Sequence, residues 1–193
     1  MINKIKLIGT AILACAFLAS CAGQSMVLKP NYDFSKIKRV AVLDFKDAPY
    51  QPNSGAMVSQ LFIVHLLSAG YNVIERGELD ALLRERQLTM QGIIANPDQA
   101  QEFGKISGID AFVVGSITQC VPPQDIFEGG GMTRYVAAQV GVVCRMVSVD
   151  TGEILWAGSD TYDSMNMQTA FDYLIYSLVR ELAADIKSAE TGK

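Results

Sequence analysis

Apolar and polar positions alternate along the chain in two different periods. Residues 40–45, Val-Ala-Val-Leu-Asp-Phe, form a short apolar run preceded by Lys36, Lys38 and Arg39, which predicts a buried strand. Pro49 and Pro52 break it. From about Ser54 to Ala69 the period lengthens: Val58, Leu61, Phe62 and His65 fall at i, i+3, i+4 and i+7, one face of a helix. Gly70 stands where that helix needs a C-terminal cap. Residues 71–74 predict a second strand. Leu79, Leu82 and Leu83 mark a second helix, with Glu78 and Asp80 early and Arg84 and Arg86 late, as the helix dipole favours.

Residues 89–96 read as a polar loop. Asn96-Pro97-Asp98-Gln99 then opens a third helix, with Asn at the cap, Pro in the first turn and Gln three residues on. It carries Ala100, Phe103 and Ile106 and stops at Gly108. Residues 111–120 are the third strand. Pro122, Pro123 and Gly129-Gly130-Gly131 make 121–133 a loop, and 134–149 alternate, with Val136, Ala138, Val140, Val142 and Cys144 on one face. Thr151-Gly152 is a tight hairpin turn, and 153–161 return as a fifth strand. The last helix, 166–188, carries an apolar stripe of Phe171, Leu174, Ile175, Leu178, Leu182 and Ile186. The order β-α-β-α-α-β-β-β-α predicts one α/β domain. Its mixed sheet of about five strands, with helices packed on it, is parallel in the first half and antiparallel in the second.

The first twenty residues stand apart from this pattern. Lys4 and Lys6 precede an acid-free apolar run from Leu7 to Leu18, the layout of a secretory signal. The run is too short to span a bilayer, which takes about 20 apolar residues. It ends in Leu18-Ala19-Ser20-Cys21, which resembles the lipobox of bacterial lipoproteins; the resemblance implies that Cys21 takes diacylglycerol, that the peptide is cut before it, and that the new amine receives an acyl chain such as palmitate. Each buried CH2 of such chains contributes about 0.8 kcal/mol, and two or more chains anchor stably. Residue 22 is Ala rather than Asp, which favours the inner leaflet of the outer membrane, facing the periplasm. The expected division is a signal peptide over 1–20, a lipidated tether over 21–36 and the domain over 37–190.

Of 193 residues, 50% are hydrophobic and 19% charged, enough apolar material for a packed core. Losing Lys4 and Lys6 with the signal takes the net charge from −4 to −6, so no broad nucleic-acid surface is expected. One histidine and four cysteines leave no metal set and no catalytic pair. Glu128-Gly129-Gly130-Gly131 lacks the Gly-Lys-Ser/Thr ending of a phosphate loop and reads as a flexible turn. Asp44, Asp47, Glu75 and Asp110 lie near strand ends without a nucleophile beside them, and read as caps or surface groups. His65 reads as a boundary residue. No cofactor or small-molecule substrate is indicated, and a non-enzymatic protein is expected.

Three segments carry a resemblance: Val-Ala-Val-Leu-Asp-Phe; residues 71–88 with Glu75-Arg76 and Leu79; and residues 108–120 followed by 140–159, with Thr151-Gly152-Glu153 ahead of Trp156. Over about residues 38–187 the chain resembles the curli production assembly/transport component family. The resemblance implies a lipidated outer-membrane protein that forms a ring and secretes unfolded amyloid subunits through a barrel built from two hairpins per protomer. It also implies contacts with envelope proteins. The residues depart from that pattern. The outgoing arm of the first hairpin carries Pro122, Pro123 and Asp125, and only about ten residues separate Trp156 from the last helix, too few for a second hairpin.

The expected function is therefore a protein-binding or ring-forming accessory in envelope assembly or secretion. A secretion channel subunit, or a lipoprotein activator of a penicillin-binding protein, is the alternative. If residues 116–145 form a hairpin symmetric about Met132, Cys120 faces Cys144. Either a disulfide in an oxidising compartment or two buried free thiols follows.

Overall fold

The computed structural model describes residues 25–74 and 76–191. Six strands form the main sheet: β1 (Ser25–Leu28), β2 (Arg39–Val42), β3 (Asn72–Val73), β4 (Ala111–Val121), β7 (Ala138–Ser148) and β8 (Ile154–Ser164). Two more, β5 (Gln124–Glu128) and β6 (Met132–Val136), pair with each other as a separate ribbon. The helices are α1 (Ser54–Ser68), α2 (Arg76–Glu85), α3 (Met90–Ala95), α4 (Pro97–Ser107) and α5 (Met167–Thr191). The sheet order is β1-β8-β7-β4-β2-β3, parallel where β2 meets β3 and β4, antiparallel elsewhere. The expected mixed α/β domain is thus present, with a parallel half and an antiparallel half.

Alternation along the strands sorts residues to two cores. Val40, Val42, Val113, Val140, Val142 and Cys144 face α1 and α5, where they pack on Phe62, Leu66, Phe171, Leu174 and Leu178. On the other face Ala41, Leu43, Phe112 and Val114 meet Leu79 and Leu83 of α2, Ile93 of α3, and Ala100 and Phe103 of α4. The stripe foreseen on the last helix is the buried face of α5.

Several expectations need correction. Residues 25–36 are not a tether: β1 pairs with β8 from Leu28 opposite Trp156 to Ser25 opposite Ser159, and Phe34 enters the core against Tyr32, their rings 5.0 Å apart. Four apolar or small residues at an open sheet edge gain backbone partners there, which polarity counting does not register. The polar segment 89–96 contains α3, started by the Thr89 hydroxyl accepting from the Gly92 N–H at 3.1 Å. The loop over 121–133 is instead the β5–β6 ribbon, turning through Gly130 and Gly131 at φ of 92° and 80°. Glycine alone supplies that left-handed conformation without strain.

The loop between β2 and α1 is held by side chains. The Asp47 carboxylate accepts from the Gly55 N–H at 2.6 Å and the Asn53 N–H at 3.2 Å, satisfying donors at the start of α1. Ser59 Oγ accepts from the Phe45 N–H and donates to a carbonyl, 3.1 Å from Leu43 O and 3.0 Å from Gly55 O. The helix lies so close to the strand that a Cβ on Gly55 would sit 1.9 Å from the Phe45 carbonyl oxygen. Gly55→Ala is therefore expected to destabilise the fold by about 2 kcal/mol, in the range of overpacking effects, read by urea unfolding. Gly129→Ala, where a Cβ meets nothing within 4 Å, is the matched control and should be neutral.

Candidate interaction surface and anchoring end

The helical layers do not cover the sheet equally. α1 and α5 back one face, whereas α2, α3 and α4 pack over β2, β4 and the Val147 end of β7. Elsewhere the outer faces of β7 and β8 are left open. Val143 and Ile154 are 43% and 49% exposed there, and Arg145 is exposed between them. A groove of about 700 Å³ crosses this face, between the Asp44–Lys46 segment, Gly115 on β4 and Ala157 on β8. Its walls are mainly apolar, with Lys46 and Arg145 as cationic elements, and it suits a protein segment better than a small polar substrate.

Asp47 and Asp110, two of the carboxylates near strand ends, serve separate backbone donors. Asp47 caps α1. Asp110 accepts from the Lys38 and Arg39 N–H groups, both at 2.8 Å, and so holds the start of β2. Among the described residues no three His, Cys, Asp or Glu side chains are grouped to hold a metal ion. His65 bridges the helices of one layer: its Nε2 lies 2.9 Å from the Asp172 carboxylate and its ring 5.7 Å from that of Tyr176.

Leu79 is buried in the second core, and Arg76 opens α2. Glu75 and the lipobox residues Leu18, Ala19, Ser20 and Cys21 lie outside the described residues. The Thr151-Gly152-Glu153 turn joins β7 to β8, with Gly152 at φ 69° and its N–H donating to the Ser148 carbonyl at 3.0 Å. The Glu153 N–H donates to Thr151 Oγ1 at 3.3 Å. The Glu153 carboxylate pairs with Lys29, just beyond β1, and that ammonium, with a hydrogen bond from the Thr151 hydroxyl, holds its carboxyl below the usual range. The pair is therefore made at neutral pH and is lost as pH falls through the lowered value.

Cys120 and Cys144 are not brought together. The β5–β6 pairing is symmetric about Gly130, two residues before the centre a bridge requires. Cys144 consequently faces Gly115, and Cys120 faces Val140. Both are free thiols. Cys120 Sγ lies 3.6 Å from Met167 Sδ, and Cys144 Sγ donates to the Gly158 carbonyl at 3.5 Å. A disulfide cannot span strand positions so offset.

The mixed sheet lies between unequal helical layers and forms one α/β domain with part of a sheet face open. The chain matches the family described as curli production assembly/transport component CsgG over residues 28–171, and it belongs to that family. Among solved structures it is similar to the PelC dodecamer from Paraburkholderia phytofirmans. In one crystal form the identity is 14%, the TM-score 0.56, and the match covers 83% of this chain and 97% of that one. It is also similar to lipoprotein GNA1162 from Neisseria meningitidis, at 17% identity and TM-score 0.50, covering 81% of this chain and 99% of that one. No curated protein matches.

The groove was not legible in the sequence, because Val143 and Arg145 read as the ordinary outward side of an alternating strand. Only the narrowness of the α2–α4 layer makes that side an open surface. The thiols provide a test of the register. Burial pushes both thiols above the usual range, much further at Cys144. Alkylation of the native protein at mildly alkaline pH should label the half-buried Cys120 first, leave Cys144 unlabelled until unfolding, and speed up with rising pH. Non-reducing peptide mapping showing a 120–144 linkage would contradict this register.

Proposed function

We propose that this chain is a lipid-anchored envelope protein, held by acylated Cys21 at the periplasmic face of the outer membrane, that acts through protein contacts as an accessory subunit in assembly or secretion. The observation that carries the reading is the open groove across β4, β7 and β8. Burying Val143 and Ile154 against a partner would gain roughly 1.5–3 kcal/mol for each side chain fully covered, and Arg145 beside them fits the composition of interface cores. PelC, built on a similar fold, is a dodecamer, and self-association is part of the reading here.

A channel is the weaker reading. A membrane-spanning strand needs about 9–11 residues, whereas β5 and β6 have five each. β8 leads to α5 with only Met165 and Asn166 between them, so no second hairpin intervenes. No helix among the described residues is long and apolar enough to cross a membrane.

Two experiments test the proposal. Cys21→Ala should remove the protein from the outer-membrane fraction, because acyl chains supply the membrane free energy; unchanged fractionation would defeat the anchor. Val143→Asp and Arg145→Glu should each lower co-purification of the partner, or of tagged copies of the chain, at least tenfold, about 1.4 kcal/mol, with thermal unfolding unchanged. Undiminished complexes would defeat the groove as the contact surface.

A further inference from the structure

The open sheet face extends beyond the groove. Val114 on β4 faces Arg145 on β7, Arg145 faces Ala157 on β8, and Ala157 faces Val27 on β1. Residues paired in this way share one face of the sheet, so the row runs from buried Val114 to Val27, which is 64% exposed. A second row lies two residues away: Lys46 stands beside Ser116, Ser116 faces Val143, and Val143 faces Ser159. Next to the groove a pocket of about 190 Å³ is lined by Ile93 of α3, Ala100 of α4 and Phe112 of β4. It shares Val114, Arg145 and Ile154 with the groove as a common wall.

Strand order decides what can lie here. β8 is paired on both sides, with β1 and β7, and β7 likewise with β8 and β4. The face therefore offers no ladder to a partner strand. A segment laid on it must satisfy its own backbone N–H and C=O groups, and a helix does so within itself. Three inter-strand spacings separate β4 from β1, about 14 Å, wide enough for one helix of about 10–12 Å. Charge narrows the occupant further. The chain carries 20 acidic and 16 basic side chains, yet the groove sets Lys46 and Arg145 against one acid, Asp44. Both cations are exposed, and neither is in a salt bridge among the described residues. Covering Arg145 with apolar surface alone would desolvate an unpaired cation, so the occupant must bring a carboxylate. The two cations stand in adjacent rows, about 7 Å apart along the strands. That spacing matches carboxylates at i and i+4 of a helix, about 6 Å of rise.

We propose that the groove seats an acidic amphipathic helix of a partner protein. The apolar side of that helix covers Val143, Ala157 and Ile154, and one of its apolar side chains enters the pocket at Ile93. Carboxylates one turn apart meet Lys46 and Arg145. The inference rests on the groove being a contact surface, as proposed above, and adds the form and charge of what it holds. Burial of the apolar strip supplies the affinity. The two cations select the partner, because a basic helix would set like charges against them.

The test is photocross-linking of the full chain in cells of the source organism, with p-benzoylphenylalanine replacing Val143 and, separately, Ile154. Both side chains are exposed, so the fold tolerates the exchange. The adduct peptide, sequenced by mass spectrometry, should come from another protein. It should show apolar residues at helical spacing with Asp or Glu at i and i+4. Arg145→Glu should lower the adduct yield at least tenfold, and Arg145→Lys should retain it. Replacing the partner's mapped acid by Lys should restore the yield with Arg145→Glu, and thermal unfolding verifies that each variant is folded. An adduct to a second copy of this chain overturns the inference and assigns the groove to self-association. An adduct on a segment without acids or helical spacing, or a yield indifferent to Arg145→Glu, overturns the inference and leaves the contact surface standing. No adduct from either position overturns both.

Discussion

The register between β4 and β7 is the constraint on which the rest of the molecule depends. The two strands pair from Ala111 opposite Ser148 to Val121 opposite Gln139, with one irregularity between Ile117 and Gln119. Because side chains alternate, this register sends Val113, Ile117, Val140, Val142 and Cys144 together into the core beneath α1 and α5. The same register turns Val114, Ser116, Val143 and Arg145 to the other face, and only Val114 of these is covered there. A slip of one residue would empty the core and bury Arg145. The cost of burying an unpaired cation excludes that arrangement as firmly as the lost apolar packing does.

The ends of the hairpin follow from the same pairing. Beyond Val121, Pro122 and Pro123 cannot donate to the ladder, so the main sheet stops. The pairing resumes as the short β5–β6 ribbon about the same centre, Gly130. A ribbon with no second layer has nowhere to bury its apolar residues. Phe127 and Met132 are exposed for that reason, not through any local defect. At the opposite edge of the sheet, β1 adds four residues to β8, and the Lys29–Glu153 pair fastens it to the turn after β7. Residues 25–28 thus become part of the sheet.

The sequence by itself determined the periodic elements. The stripes of α1 and α5, the Asn96 cap of α4, where the side chain accepts from the Asp98 N–H at 3.0 Å, and the alternation of β7 are each written within a few residues. The mixed sheet follows from their order, and the family pattern from Leu79, Thr151, Gly152 and Glu153. Tertiary structure decided what depends on partners distant in the chain. β1 exists because β8 offers an unpaired edge 130 residues away. α3 forms where Ile93 reaches a core that Phe103 and Phe112 complete. The centre of the long hairpin fell on Gly130 rather than Met132, a shift too small for composition to register but enough to separate Cys120 from Cys144. The open face is the same kind of fact. Whether Val143 meets water or a helix depends on where α2, α3 and α4 come to rest, and the packing that decides this is non-local.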